Sequence, residues 1–300
     1  MRASRTTRLP AVLVAVLLTV AGLLAGCTSA SDQPRAAASS QPTYTRYVAL
    51  GDSYSAGPLI PTSDLAGGCL RSDHNYPSLL ARQLKVSVVK DVTCSGATTS
   101  DLTGIQSTFG DARIPPQLHS VTADTDLVTI GIGGNDLSLF GTLVSTCTRL
   151  RSSDPTGRPC TRQLKARGVD LAEVTTTISG NVEKSLKSIR TLAPKATVVL
   201  VGYLRLVPDR GTCAALPLAT GDYAEGRRIS LALDRALRTA AKRTGTTFVD
   251  MYAVSAGHDI CSAHPWVNGA TTDRQKALSY HPFASGMRAD AAAIRKALAG

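Results

Sequence analysis

The sequence has few aromatic residues and no block of like charge, and both absences narrow the function classes. Phe, Trp and Tyr make up 4% of the 300 residues, and no run of five or more Lys and Arg occurs. The formal charge is nevertheless +11, and it is still +8 when the three arginines among the first eight residues are set aside. Nucleic-acid binding is indicated by a basic patch with interleaved aromatics rather than by a total charge. We therefore expect no nucleic-acid partner.

Signatures of nucleotide and zinc binding are also missing. No GxxxxGK[ST] loop is present, and the glycine-rich run "GIGGND" (131–136) ends in Asp136 where GxGxxG spacing requires glycine. No CxxC pair occurs, and the cysteine spacings do not resemble a metal motif. We expect neither a nucleotide cofactor nor a bound metal.

The N-terminus has the pattern of an export signal. Three arginines precede the apolar run "LPAVLVAVLLTVAGLLAG" (9–26), which ends in small residues suited to a cleavage site. The tetrapeptide "LAGC" resembles the bacterial lipobox, which implies removal of residues 1–26 and diacylation of Cys27. Two or more acyl chains anchor a protein stably, so we expect attachment to the outer face of the cell membrane. A retained membrane-spanning helix and a secreted protein with an incidental cysteine are the alternatives.

Six cysteines remain after Cys27, and an even number in an exported chain indicates three disulfides. They are Cys69, Cys94, Cys147, Cys160, Cys213 and Cys261. Pairing in sequential order would close three local loops. The spacing alone does not decide between this pairing and the others.

The rest of the chain alternates between strand and helix patterns. Residues 27–44 are small, polar and Pro-containing, which is typical of a flexible tether, and the folded domain is expected at 45–300. Apolar β-branched runs predict strands at 46–50, 86–92, 126–132, 196–203 and 246–252. Helical spacing predicts helices at 76–84, 170–193, 221–245 and 285–299. The alternation predicts a three-layer α/β/α sandwich with a mostly parallel sheet of about five strands. The segment 141–168, which carries Cys147 and Cys160, is interpreted as a disulfide-bound excursion.

Polar clusters follow the first three predicted strands: "GDSYS" (51–55), "CSGATTSD" (94–101) and "GIGGND". Ligands bind beyond the carboxyl ends of parallel strands, so we expect these clusters to meet at one edge of the sheet. Acyl transfer needs a hydroxyl nucleophile and donors for the developing oxyanion. Ser53 supplies the hydroxyl and a backbone N–H. Gly96 adds a second N–H with no side chain in the way, and Asn135 adds a neutral amide.

A histidine is the expected general base, and five are present. His281 lies in "LSYHPFASG", between the last predicted strand and the last helix, from where it could reach the same edge. We rank it ahead of His264 and His258.

Four blocks of the sequence resemble those of the SGNH hydrolases, also called GDSL esterases and lipases. "GDSYS", "SGATTSD", "GGND" and "YHPFASG" occur in the family order and span about residues 46–287. The resemblance implies a flavodoxin-like SGNH fold, a nucleophile at Ser53, an oxyanion hole of Ser53, Gly96 and Asn135, and a base at His281. The six cysteines further resemble those of disulfide-bearing secreted esterases and phospholipases of actinobacteria.

One position departs from the family pattern. The family usually has an aspartate three residues before its histidine, and here that position is Leu278. Because a backbone carbonyl can accept the Nδ1–H of a histidine, we predict a Ser53–His281 dyad oriented by the carbonyl of Leu278. The alternative is a remote acid, Asp250 or Asp259, that folds back onto the histidine.

We therefore expect an exported, monomeric serine hydrolase that acts on carboxylic esters of lipids or small acyl compounds without a cofactor. Two alternatives remain open at this point. One is a deacetylase-type esterase that acts on glycans, and the other is a catalytically lapsed lipoprotein that binds lipid or glycan.

Overall fold

Five parallel strands form the central sheet of the protein. The computed structural model describes residues 43–108 and 110–300, so the predicted signal peptide, Cys27 and nearly all of the tether lie outside the described residues. The described strands are β1 (Arg46–Gly51), β2 (Ser63–Asp64), β3 (Arg71–Ser72), β4 (Val88–Asp91), β5 (Gln106–Ser107), β6 (Arg113–Ile114), β7 (Leu127–Gly131), β8 (Thr197–Val201) and β9 (Thr247–Val249). The central sheet has the order β4-β1-β7-β8-β9, whereas β2 with β3 and β5 with β6 form short antiparallel pairs. The predicted mostly parallel sheet is confirmed.

Burial explains why the central strands are apolar on successive residues. β1 and β7 each have a neighbour on both sides and layers on both faces, and their apolar side chains are fully buried. Strands buried on both faces of a parallel sheet have this continuous pattern. Among the described strands β4 pairs with β1 alone, and as an edge strand it leaves Val88 and Val89 more than one-third exposed.

Helices cover both faces of the sheet and complete the predicted three layers. α6 packs against α7 on one face, and α2 packs against α9 on the other. The described α-helices are α1 (Ser53–Ala56), α2 (Tyr76–Leu84), α3 (Leu139–Gly141), α4 (Thr148–Leu150), α5 (Pro159–Ala166), α6 (Leu171–Leu192), α7 (Tyr223–Thr244), α8 (Met251–Val254) and α9 (Ala284–Leu298). A π-helical turn, Thr142–Cys147, joins α3 to α4. Over residues 43–108 and 110–300, no helix combines the length and the apolar character needed to cross a membrane.

The six cysteines form three disulfides in sequential order: Cys69–Cys94, Cys147–Cys160 and Cys213–Cys261. The first joins the turn between β2 and β3 to the segment after β4. The second closes the excursion between β7 and α6. The third joins two loops at the carboxyl edge of the sheet, one after β8 and one after α8.

The strand order creates a crevice at one edge of the sheet. β1 lies between β4, the next central strand in the chain, and β7, the one after that. In order of appearance, the central strands are therefore arranged 2-1-3-4-5, the flavodoxin-like order, whose ligand crevice lies beyond the carboxyl ends of the first and third strands. Gly51 pairs with Gly131 at these ends. The loops after β1 and β7 therefore start side by side.

Candidate active site

Ser53 is the first residue of α1, two positions beyond the end of β1. The hydroxyl makes no hydrogen bond within the described residues, and the residue is 7% exposed. The backbone N–H of Ser53 also has no intramolecular acceptor there, because the first N–H groups of a helix have no partner inside it. The strand end thus presents a hydroxyl and a free N–H together.

Asp52 shapes the turn that carries Ser53. One carboxylate oxygen accepts the N–H of Tyr54 at 2.9 Å and caps α1, and the other accepts the hydroxyl of Tyr203 at 2.5 Å. Burial raises the pKa of Asp52 to about 7, while the hydrogen bond from Tyr203 acts in the opposite direction. Asp52 is therefore an organiser of the turn, as its short carboxylate suggests.

Tyr203 links the nucleophile turn to the loop after β7. Besides donating to Asp52, its buried hydroxyl accepts the N–H of Gly134 at 2.8 Å. A Cβ atom at Gly134 would lie 2.5 Å from the ring of Phe140, so only glycine allows this approach. The sequence pattern predicts Tyr203 as the end of a strand and does not reveal this role. Its place directly beyond the carboxyl end of β8 is the signal that could have found it.

Gly96 lies in the loop after β4, and this loop is tied to β1. The N–H of Cys94 donates to the carbonyl of Gly51 at 3.0 Å, and the N–H of Ser95 donates to the carbonyl of Cys69 at 3.1 Å. Gly96 has φ +83° and is exposed, and within the described residues its N–H donates to no protein acceptor. Because this φ lies in the left-handed region, glycine is strongly favoured there. The geometry leaves the N–H of Gly96 available to a ligand.

Asn135 follows β7 and is oriented toward the loop of Gly96. Its side-chain nitrogen donates to the carbonyl of Ala97 at 2.9 Å, which leaves the second N–H of the amide for another acceptor. The next residue, Asp136, accepts the N–H of Thr99 at 2.8 Å and also its hydroxyl. The loops that carry Gly96 and Asn135 are therefore held together by side chains of the third block.

A main-chain carbonyl orients the ring of His281, but it is not the carbonyl that we predicted. Its Nδ1 lies 2.7 Å from the carbonyl oxygen of Ser279. The Leu278 carbonyl instead accepts the backbone N–H of His281 at 3.2 Å and the side-chain amide of Asn268 at 3.2 Å. Because the chain turns tightly here, the Leu278 oxygen bonds to the backbone and Ser279 presents its oxygen to the ring. The prediction for Leu278 was wrong by one residue.

The remote acids do not reach the histidine. Asp250 caps α8 through the N–H of Ala253 and forms an ion pair with Arg238. Asp259 accepts the N–H of Cys261 at 2.9 Å. Neither carboxylate is hydrogen-bonded to His281 within the described residues.

The other two candidate histidines are engaged with each other. His258 Nδ1 lies 2.8 Å from the carbonyl oxygen of His264, and its ring stacks on Trp266 with centroids 3.9 Å apart. Asn268, two residues beyond Trp266, donates its amide to the carbonyls of Thr271 and Ala277 as well as Leu278. This region supports the histidine loop.

Tyr54 brings the histidine loop next to the nucleophile. Its hydroxyl donates to the carbonyl of Tyr280 at 2.7 Å, and its ring centroid lies 5.6 Å from that of His281. Since Tyr54 is the residue after Ser53, the contact places the imidazole loop against the first turn of α1. No direct hydrogen bond joins Ser53 Oγ to His281 in the described part of the chain, and such bonds are often long before substrate binds.

Desolvation keeps the imidazole neutral. Burial lowers the pKa of His281 from 6.5 to about 4, and the hydrogen bond with the Ser279 carbonyl raises it by less. A neutral imidazole is the form that can accept a proton from a hydroxyl.

The fold is that of the carboxylic ester hydrolases to which the chain is similar in sequence and structure. The chain belongs to the GDSL-like Lipase/Acylhydrolase family, whose model matches residues 49–289. It is 38% identical to Lipase 2 of Streptomyces coelicolor over 257 residues, which cover 84% of each chain. It is 35% identical to a lipase of Streptomyces rimosus, with 94% of this chain and 95% of the relative covered.

Two solved structures share the fold at comparable identity. Phospholipase A1 from Streptomyces albidoflavus NA297 superimposes with a TM-score of 0.71 at 29% identity, covering 85% of this chain and 99% of that one. The extracellular lipase from Streptomyces rimosus superimposes with a TM-score of 0.69 at 31% identity, covering 84% of this chain and 99% of that one.

Proposed function

We propose that the chain hydrolyses esters through an acyl-enzyme on Ser53, with His281 as the general base. One observation carries this proposal: Tyr54, the neighbour of Ser53, holds the histidine loop against the nucleophile turn. The loops of Gly96 and Asn135 are bound to each other at the same sheet edge. These are the parts that acyl transfer requires.

In the first half-reaction, Ser53 Oγ attacks the ester carbonyl and its proton passes to Nε2 of His281. The Nδ1–H of the imidazole donates to the Ser279 carbonyl, which fixes the ring and the tautomer. The oxyanion accepts the N–H groups of Ser53 and Gly96 and the free amide N–H of Asn135. Collapse of this intermediate breaks the ester C–O bond, and Nε2 returns the proton to the leaving alkoxide.

In the second half-reaction, water takes the place of the alcohol. His281 removes a proton from the water as the water oxygen attacks the acyl carbon. The same three donors hold the second oxyanion, and the proton then goes to Ser53 Oγ as the acid leaves. Each half-reaction therefore returns His281 to its neutral form.

We further propose that the protein is exported and held at the outer face of the cell membrane through acylated Cys27. The support is the arginine-rich, apolar N-terminus followed by "LAGC". Mass spectrometry of the N-terminal peptide should find diacylated Cys27 as the first residue, and Cys27→Ser should block both the acylation and the removal of residues 1–26. A membrane-bound protein with an unacylated Cys27 would contradict the lipid anchor.

A series of p-nitrophenyl esters from acetate to palmitate tests the proposed reaction. We expect turnover by the wild type on chains longer than acetate, in line with the lipases and the phospholipase that the chain resembles, and none above background for Ser53→Ala. Equal rates for the wild type and Ser53→Ala, or no turnover on any ester, would contradict the acyl-enzyme. A strict preference for acetate would favour a glycan deacetylase instead.

A further inference from the structure

We propose that the excursion between β7 and α6 docks the enzyme onto an anionic phospholipid surface. The docking surface consists of residues 141–168, called the cationic arm below, together with the apolar side chains of Leu137 and Val169. This proposal rests on the proposed function, since it describes how the same site would meet an aggregated lipid substrate.

The cationic arm has an unusual charge balance. It contains six Lys and Arg residues and one acid, Asp154, for a net charge of +5. Arg162 forms an ion pair with Asp154 at 2.7 Å. The other five cations are exposed and form no ion pair within the described residues: Arg149, Arg151, Arg158, Lys165 and Arg167. Their charge is therefore available to an external anionic partner.

On one side, the cationic arm borders the loop of Asn135. A cavity of about 530 Å³ opens between them, and it is lined by residues of both, with Leu137, Leu150, Leu164 and Val169 among its apolar walls. Leu137 lies two residues beyond Asn135, has φ +52° and is 59% exposed. Val169, just beyond the arm, is 43% exposed. Two exposed apolar side chains thus flank the cations on the oxyanion side of the site.

On the other side, the cationic arm borders the histidine loop. Thr148 makes a polar side-chain contact with Tyr280, the residue before His281. Burial raises the pKa of Tyr280, and the contact with Thr148 acts in the opposite direction. The Cys147–Cys160 disulfide closes the arm into a loop at this place. Because the arm touches the loops of both Asn135 and His281, a surface bound to it would face the site.

The combination of cations with exposed apolar side chains favours lipid over a soluble polyanion. Surfaces that bind anionic membranes insert apolar side chains at the acyl boundary while Lys and Arg meet the headgroups. The cationic arm has no aromatic residue on which a nucleic-acid base could stack. We therefore choose the anionic phospholipid surface as the partner.

Cosedimentation with vesicles tests the docking surface in a chain of residues 28–300, which lacks the apolar run 9–26 and Cys27, so that neither a signal segment nor an acyl anchor contributes. The arm variant carries Arg149→Gln, Arg151→Gln and Lys165→Gln, and the control carries Lys184→Gln, Lys195→Gln and Arg295→Gln. Both variants lose three exposed cations without ion pairs, but the control positions lie on α6, the turn after it and α9.

We expect the arm variant to bind phosphatidylcholine vesicles containing phosphatidylglycerol about 100-fold more weakly than the control, at about fivefold per cation. The parent chain should bind these vesicles more tightly than pure phosphatidylcholine, and added salt should remove the difference. Val169→Ser should weaken vesicle binding severalfold without changing retention on soluble dextran sulfate. Equal binding by the arm and control variants would overturn the proposal, and so would a Val169→Ser chain that binds vesicles as the parent does.

Turnover of a soluble short-chain p-nitrophenyl ester separates this proposal from the proposed function. Both triple variants should hydrolyse it at the parental rate, which also checks their folding. Vesicle binding does not require turnover, so it can be measured on Ser53→Ala as well. Absent turnover with intact, arm-dependent binding would contradict only the esterase mechanism. Normal turnover with arm-independent binding would contradict only the docking surface.

Discussion

The two halves of the candidate site are held in place by different chemistry. On the serine side, the buried carboxylates of Asp52 and Asp136 bind backbone N–H groups and hydroxyls and connect the three loops to one another. On the histidine side, neutral groups do the same work: the Ser279 carbonyl holds the ring, and the Asn268 amide holds the turn.

Because of this difference, the group that positions the imidazole of His281 is not one that stabilises the charge of the imidazolium. A triad carboxylate would both orient the imidazole and stabilise the imidazolium formed in the reaction. The Ser279 carbonyl can orient the ring, but it carries no full charge. The buried acids of this site therefore hold the nucleophile and oxyanion loops in place, whereas His281 acts as a base with a lowered pKa and no acidic partner.

Loss of the base should have the largest effect on the reaction. We expect His281→Ala to lower kcat by about 10²- to 10⁴-fold, the range for removal of a general base. His264→Ala is the matched control, because the substitution keeps the main-chain carbonyl that bonds to His258, and it should stay within about twofold of the wild type. If steady-state kinetics show the large loss for His264→Ala instead, the base is misassigned.

Removing the hydroxyl of Tyr203 should have the next largest effect. Tyr203→Phe leaves a buried oxygen of Asp52 and the N–H of Gly134 without partners, which should cost about 2 kcal/mol or more of unfolding free energy. We also expect kcat to fall about tenfold, since the serine and oxyanion loops lose their link.

Tyr223→Phe is the control for that experiment. Its hydroxyl donates to the carbonyl of Leu216 and accepts the N–H of Cys213, and within the described residues it makes no hydrogen bond to the loops of Ser53, Gly96, Asn135 or His281. Urea unfolding should show a similar loss of stability for both variants, but only Tyr203→Phe should lower kcat below the unfolding transition. Equal losses of kcat would mean that Tyr203 acts through stability alone.

A carboxylate at position 278 should give the histidine side a charged group, as the serine side already has. The acid limb that His281 sets in the pH profile of kcat/KM should lie near pH 4 in the wild type, because His281 must be neutral to act as a base and its pKa is lowered to about 4. In Leu278→Asp, a nearby negative charge favours the imidazolium, so the acid limb should move up by about one pH unit.

Leu278→Asn separates charge from side-chain shape in the same pH profiles. We expect its acid limb to stay with that of the wild type. A wild-type limb near the ordinary histidine value, or one that moves equally in both variants, would argue against a desolvated histidine that lacks an acidic partner.

Most of the fold could be predicted because it depends on patterns within single elements. The apolar runs of β1, β7 and β8 predict buried parallel strands, and α2 begins and ends where its helical spacing predicts. The two-residue pairs β2–β3 and β5–β6 were not predicted, because a strand of two residues is too short to show the alternation by which strands are recognised.

The residues of the candidate site also divide into those that the sequence predicts and those that it does not. Ser53, Gly96, Asn135 and His281 are recognisable because each carries its chemistry in a short block next to a predicted element. Tyr203 and the Ser279 carbonyl were missed. The role of Tyr203 depends on contacts between three loops, and a backbone carbonyl leaves no mark on the amino-acid sequence.

The pairing of Gly51 with Gly131 also bears on how this enzyme can evolve. Neighbouring strands lie about 4.8 Å apart whatever side chains they carry, so the backbone ladder sets the separation of the serine and asparagine loops. Core substitutions can then accumulate and change stability long before they alter that separation. New substrate ranges can arise in the loops beyond the sheet while the reaction centre keeps its dimensions.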